Sequence, residues 1–185
     1  MNPVPRAPRW AQALSTVAAP LFVTLAAAAL LAVLDGLPAL IEGEPHGLER
    51  ARTVEEVEEA LRTRLLLPSY FPSSLAWPPR RIRYRFGRPS AVALHIEGQG
   101  SRPGLFLAET VAPGPFPPGL VPESQVLARS PVSVGPLKGI LSRVVDEGTQ
   151  GFEVAFELEG RSVLLRSRGS LDELLRMARS TREVP

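Results

Sequence analysis

Hydrophobic and polar positions follow three different rhythms along the chain, and each predicts a different kind of element. Residues 10–34 (WAQALSTVAAPLFVTLAAAALLAVL) carry no charge at all. A helix rises about 1.5 Å per residue, so roughly 20 residues cross a hydrocarbon layer of about 30 Å. Trp10 stands where an interfacial aromatic anchor belongs, and Pro20 is a helix interruption that membrane helices tolerate. The run reads as a transmembrane helix over 10–34 behind a cytoplasmic stub, 1–9. It outruns the apolar region of a cleaved signal peptide, and Val33-Leu34-Asp35 offers no small-x-small cleavage site. Residues 35–52 mix glycine, proline and charge, and read as a linker.

The second rhythm is helical. Thr53-Val-Glu-Glu56 has the form of a capping box, and Val54, Val57, Leu61 and Leu65 repeat at helical spacing, which predicts a helix over 54–66. Ser170-Leu-Asp-Glu173 repeats the box. It opens a second helix running to about Ser180, with Leu171, Leu174, Leu175 and Ala178 as its buried stripe. Between the helices the period falls to two. Ile82, Tyr84 and Phe86 alternate with arginines, and Val92, Leu94 and Ile96 alternate after the break Gly87–Ser90. Further strands are expected at 104–111, 126–134 and 137–145. A hairpin follows, with Phe152, Val154, Phe156 and Leu158 inward, Glu159-Gly160 as its turn and Arg161–Arg166 returning. Residues 113–122 (PGPFPPGLVP) form a stiff proline-rich loop. Helix, antiparallel meander, helix is an α+β domain, here spanning 53–182.

Charge changes this picture in two ways. Arg6 and Arg9 precede the apolar run and every acidic residue follows it, which by the positive-inside tendency puts the N-terminus in the cytoplasm and the domain outside. Without those two arginines, residues 35–185 carry 19 basic and 19 acidic side chains (21 less two, against 19). A neutral domain lacks the basic field of a nucleic-acid binder, so nucleic acid is not an expected partner. The chain has no cysteine, which excludes disulfides and thiolate metal sites.

Candidate chemistry is sparse. Arg81, Arg83 and Arg85 share one strand face within a run, Arg80–Arg88, that holds no acid. They are candidates for contact with an anionic surface such as lipid head groups or a wall polymer. The competing reading is internal: Asp146, Glu147, Glu153, Glu157 and Glu159 form an equal acidic block, of which Glu153, Glu157 and Glu159 alternate outward on the late hairpin, and cross-strand Arg–Glu pairs would explain both rows. Phe116 is a candidate partner contact, or else part of a rigid connector. His95 reads as a surface histidine, and His46 falls in the linker. Gly98–Gly104 is glycine-rich but is followed by Pro103 and a strand rather than by the helix a phosphate cradle needs. Asp146–Gly151 reads as a tight turn, since it lacks the alternating ligands of a calcium loop. No Gly-x-Ser-x-Gly elbow is present, and a Ser–Lys dyad would have to use Lys138, the sole lysine. No catalytic residue, metal or cofactor is expected.

Three segments carry a family resemblance. Leu67-Pro68-Ser-Tyr70-Phe71-Pro72, the hairpin ending in Arg161–Arg166 and the closing helix Ser170–Ser180 together resemble bacterial extracytoplasmic domains of unknown function found in membrane-anchored, anti-sigma-factor-like proteins. The resemblance covers about residues 54–182. It implies an envelope-facing sensory or regulatory domain without catalytic residues, whose partners are the lipid bilayer and a membrane or envelope protein. The stub 1–9 is too short for a sigma-factor-binding domain, so signalling would need another protein. The alternatives are a single-span accessory subunit of a larger membrane complex and a carrier whose sheet shelters a lipid.

Overall fold

The structure is a computed structural model that describes residues 47–183. The segments read as stub and membrane helix, most of the linker, and His46 lie outside the described residues. Among the described residues no helix is long and apolar enough to cross a membrane. Residues 45–185 form a compact unit with a core of its own.

That unit contains β1 (Glu49–Ala51), α1 (Val54–Leu61), β2 (Leu66–Pro68), β3 (Leu75–Arg85), β4 (Ala91–Gly98), β5 (Leu105–Thr110), β6 (Gln125–Val134), β7 (Leu137–Asp146), β8 (Thr149–Leu158), β9 (Arg161–Ser167), α2 (Leu171–Arg179) and β10 (Thr181–Glu183). Eight strands form one sheet in the order β1-β3-β4-β5-β9-β8-β7-β6, antiparallel throughout, and β2 pairs with β10 in a small second sheet. The chain climbs β3-β4-β5, crosses to the far edge through the proline-rich segment, then returns strand by strand until β9 docks on β5. The α+β architecture and the late hairpin are as the alternation predicts. The turns Glu147-Gly148 and Glu159-Gly160 have positive φ at both central residues, the backbone that two-residue hairpin loops need.

Two boundaries differ from expectation. The linker ends early, because Glu49–Ala51 pairs with β3 and the Tyr84 hydroxyl donates to Glu49 (2.7 Å). The first helix stops at Leu61 rather than 66. Arg62 adopts a left-handed cap at φ 53°, and the Glu58 carboxylate then accepts from the Leu65 amide (2.9 Å), turning the chain into β2. Its N-terminus is capped as expected: Thr53 Oγ1 accepts from the Glu56 amide, and the Glu56 carboxylate accepts from Arg52 N. Ser170, by contrast, makes no side-chain cap, and Met177 joins Leu174 and Ala178 in the buried stripe of α2.

The two sheet faces are covered differently. On one, Val92, Leu94, Leu107, Val154, Val163 and Leu165 pack against Val57 and Leu65 from the α1 side and Leu174 and Met177 of α2. All six are fully enclosed, and burying each such side chain contributes about 1.5–3 kcal/mol. On the other face, the small side chains Ala91, Ala93 and Ala108, with Phe106 and Leu164, lie beneath Leu120, Phe116 and Val121 of the proline-rich loop.

Candidate functional site

Because side chains alternate along a strand, Ile82 and Tyr84 enter the helix-covered core while Arg81, Arg83 and Arg85 stand on the opposite face. None of these three arginines makes an ion pair among the described residues; Arg80 alone of the cluster pairs, with Glu97. Of the acidic block expected to neutralise them, Glu153 and Glu157 of β8 and Glu159 of the turn after it lie elsewhere, while Asp146, at the end of β7, acts on the same His95 imidazole as Arg81 and Arg83. β3 and β8 are separated by β4, β5 and β9, about 19 Å at four strand spacings, which exceeds the roughly 8 Å screening length of physiological salt. Glu153 is committed to Arg166, and Asp146 and Glu147 to Arg168. Cross-strand compensation of the arginine row is therefore corrected by the strand order.

Cross-strand register builds a polar row straight across this face: Arg81, His95, Phe106, Arg166, Glu153, Ser142 and Arg129 stand directly opposite one another in turn. Its centre is rigid. Arg166 is buried, its Nε and Nη2 donate to one Glu153 oxygen (3.0 and 2.6 Å), and its Nη1 donates to the Pro122 carbonyl (3.0 Å). The guanidinium also lies 5.8 Å from the centre of the Phe106 ring, whose other contact is an edge-on His95 at 4.8 Å. A buried arginine satisfied by carboxylate, carbonyl and ring is a positioned group, since losing any partner would strand its charge. His95 is half-buried rather than a simple surface residue. Burial first, then Arg83 and Arg81, hold its imidazole below the ordinary histidine range.

At the end of the row the sheet opens into a groove of about 800 Å³. Its walls are the middle of β3, the β4–β5 loop and the β7–β8 turn, and its lining includes Arg81, His95, Arg102, Thr149 and Ser101. The glycine-rich loop shapes the near wall without cradling a phosphate in the strand–helix manner. A Cβ at Gly98 would collide with the Arg102 carbonyl, and one at Gly104 with the Ile96 carbonyl, so glycine at both lets the loop fold tightly with Arg102 on the rim. Sequence reasoning passed over Arg102; the signal was a lone arginine between two closely spaced glycines.

The other sequence candidates scatter. Phe116 is half-buried against the alanine-rich cluster, where it fastens the loop to the sheet instead of projecting from it. Lys138 lies directly opposite Ser133, both exposed on the β6–β7 hairpin. The resemblance-bearing motifs meet: Ser69 and Tyr70 amides donate to Ser180, and Arg176 stacks 4.0 Å from the Tyr70 ring centre. They form a clasp between β2 and α2.

Beside that clasp lies a group the sequence did not mark. Glu109 of β5 is fully buried on the core face, where its Oε2 accepts from the Leu66 amide of β2 (3.0 Å) and its Oε1 has no partner. Burial pushes its carboxyl up to about 8 against the Leu66 hydrogen bond, with Arg161 opposing and Glu183 and Glu58 reinforcing. At neutral pH it is mostly a protonated acid. Compared with protein-family models, with curated proteins and with solved structures, the chain matches none.

Proposed function

We propose that the chain is a non-enzymatic, membrane-tethered sensing or binding module, held by residues 10–34 with its α+β domain outside the cytoplasmic membrane, and that it contacts anionic groups through Arg81, Arg83 and Arg85. The observation that carries this reading is the arginine face: three same-side guanidiniums without an ion pair among the described residues, the acids of β8 four strands away in the sheet order, and Asp146 paired with Arg168. Each arginine held near an anionic surface contributes about 1 kcal/mol, screened by salt. The resemblance to extracytoplasmic regulatory domains and the charge asymmetry around 10–34 point the same way. The test is co-sedimentation of residues 45–185 with vesicles. Association with phosphatidylglycerol vesicles, absent with phosphatidylcholine, weakened by salt and lost in Arg81→Glu/Arg83→Glu/Arg85→Glu, is the expected result. Equal binding to both lipids, or binding indifferent to the triple substitution, overturns it.

A second reading, an accessory subunit of a larger membrane complex, draws on the opposite edge of the sheet. Val126, Leu127 and Ile140 are large apolar side chains exposed at β6–β7, where a protein partner would find apolar area. A stoichiometric companion that co-purifies with the full chain in mild detergent, and is lost on Ile140→Glu, would favour it.

A further inference from the structure

The groove at the end of the polar row has a charge balance that the neutral domain as a whole does not. Five arginines line it (Arg80, Arg81, Arg102, Arg166, Arg168) against two carboxylates, Glu97 and Asp146. Three of the five are already committed: Arg80 to Glu97, Arg168 to Asp146 and Glu147, and Arg166 to Glu153. Arg81 and Arg102 remain, exposed and without an ion pair among the described residues, one on β3 and one on the rim of the β4–β5 loop, with His95 on the same lining. Both carry forked donors suited to the oxygens of a phosphate. The rest of the lining is mixed, with Ile96, Leu105, Phe106 and Val144 beside its polar groups. Ser101 and Thr149 supply hydroxyls, and Glu97 and Asp146 supply acceptors beside the cationic pair. The polar groups of the lining suit a ligand that is anionic at one end and hydroxylated at the other.

We propose that this groove is a binding site for a phosphate ester of a polyol, with Arg81 and Arg102 holding the phosphate, His95 beside them, and Glu97, Asp146 and Thr149 accepting or sharing the ligand's hydroxyl hydrogen bonds. Arg166 is a positioning residue, since Glu153, the Pro122 carbonyl and the Phe106 ring already occupy it and it fixes the groove floor through Phe106 and His95. The proposal deepens the anionic-contact reading, because Arg81 belongs to both, and names the ligand chemistry at one end of that face. A polyol phosphate has two sources, a free or polymer-borne ester and the head group of an anionic lipid, and the groove chemistry is shared by both.

The experiment uses the full chain in phosphatidylcholine nanodiscs, titrated calorimetrically with glycerol 1-phosphate, inorganic phosphate and glycerol. Saturable binding of glycerol 1-phosphate is expected, weaker for inorganic phosphate and undetectable for glycerol, with affinity falling at least tenfold in Arg102→Ala and in His95→Ala. Arg102 is an exposed loop side chain, so its loss leaves the fold intact, which an unchanged thermal midpoint verifies. Absence of glycerol 1-phosphate binding, or binding unaltered by Arg102→Ala, overturns the groove. The broader reading fails separately: vesicle association by the unsubstituted residues 45–185 when no ester binds leaves the arginine face standing, and absence of both in the unsubstituted protein sinks both. If glycerol 1-phosphate displaces that fragment from phosphatidylglycerol vesicles, the source is the head group; binding without displacement assigns a soluble or polymeric ester.

Discussion

The two faces of the central strands β4, β5 and β9 are built from the same backbone and stabilised by different means. The helix-covered face is a conventional core of Val, Leu and Ile side chains, with one acid, Glu109, enclosed among them. The opposite face buries mainly alanines under a proline-rich loop, and a polar row from Arg81 to Arg129 runs across it. Large aliphatic side chains draw stability from area removed from water and tolerate few polar neighbours. Alanines let a stiff loop approach the sheet closely and leave space at the margins for charged side chains. The chemistry of the domain collects on the face where packing is thinner, and stability collects on the other.

Substitutions can break or sharpen that contrast. The largest loss belongs to the helix-covered face: Leu165→Ala should cost about 2–5 kcal/mol in urea unfolding, through lost transfer energy and a cavity the fully enclosed site cannot collapse. A comparable loss from Phe116→Ala, for which about 1 kcal/mol is expected at its half-buried position, would erase the distinction between the faces. On the outer face, Glu153→Ala should cost about 3 kcal/mol, because it strands the buried Arg166 charge, whereas Glu153→Ala/Arg166→Met should recover most of that.

Glu109 gives a pH-dependent test of the inner face. Its folded pKa is raised from 4.5 to about 8, so the folded state binds the extra proton over that interval. Its contribution is fully present below the unfolded value and lost as pH rises through the folded one, at a limiting slope of about 1.4 kcal/mol per pH unit. Glu109→Gln should match the parent near pH 5 and exceed it increasingly up to about pH 8, with the gap constant above. Parallel stability curves for the two proteins would contradict a buried neutral acid.

The smallest effect concerns the arginine face. Arg83→Glu should leave stability within about 0.5 kcal/mol, since Arg83 makes no ion pair among the described residues. Arg83 and Arg81 both hold the His95 imidazole down, so the reversal should raise the His95 pKa in an NMR titration. A large loss of stability would mean the row is structural after all.

Much of this molecule follows from local pattern. Period-two alternation marked the inward sides of β3, β4 and β8, save that Phe86, read as inward, lies exposed past the end of β3; glycine turns marked the hairpins, and Thr53 marked the start of α1, because each is decided by residues within a few positions of one another. The shared face of Arg81, Arg83 and Arg85 was legible for the same reason. Leu65 misled as a helical position because periodicity cannot register that a left-handed Arg62 ends the helix first.

What only the tertiary structure decided is which strands lie side by side. The same alternating segments are compatible with many sheet orders, and the order found here docks β9 on β5 and leaves β3 four strands from β8. That arrangement separates the arginine row from the hairpin acids that looked like its partners, encloses Glu109 beneath Leu66, and brings His95 and Arg102 to one groove. Strand order is set by the combined burial of distant faces, a property of the whole chain that no short window contains.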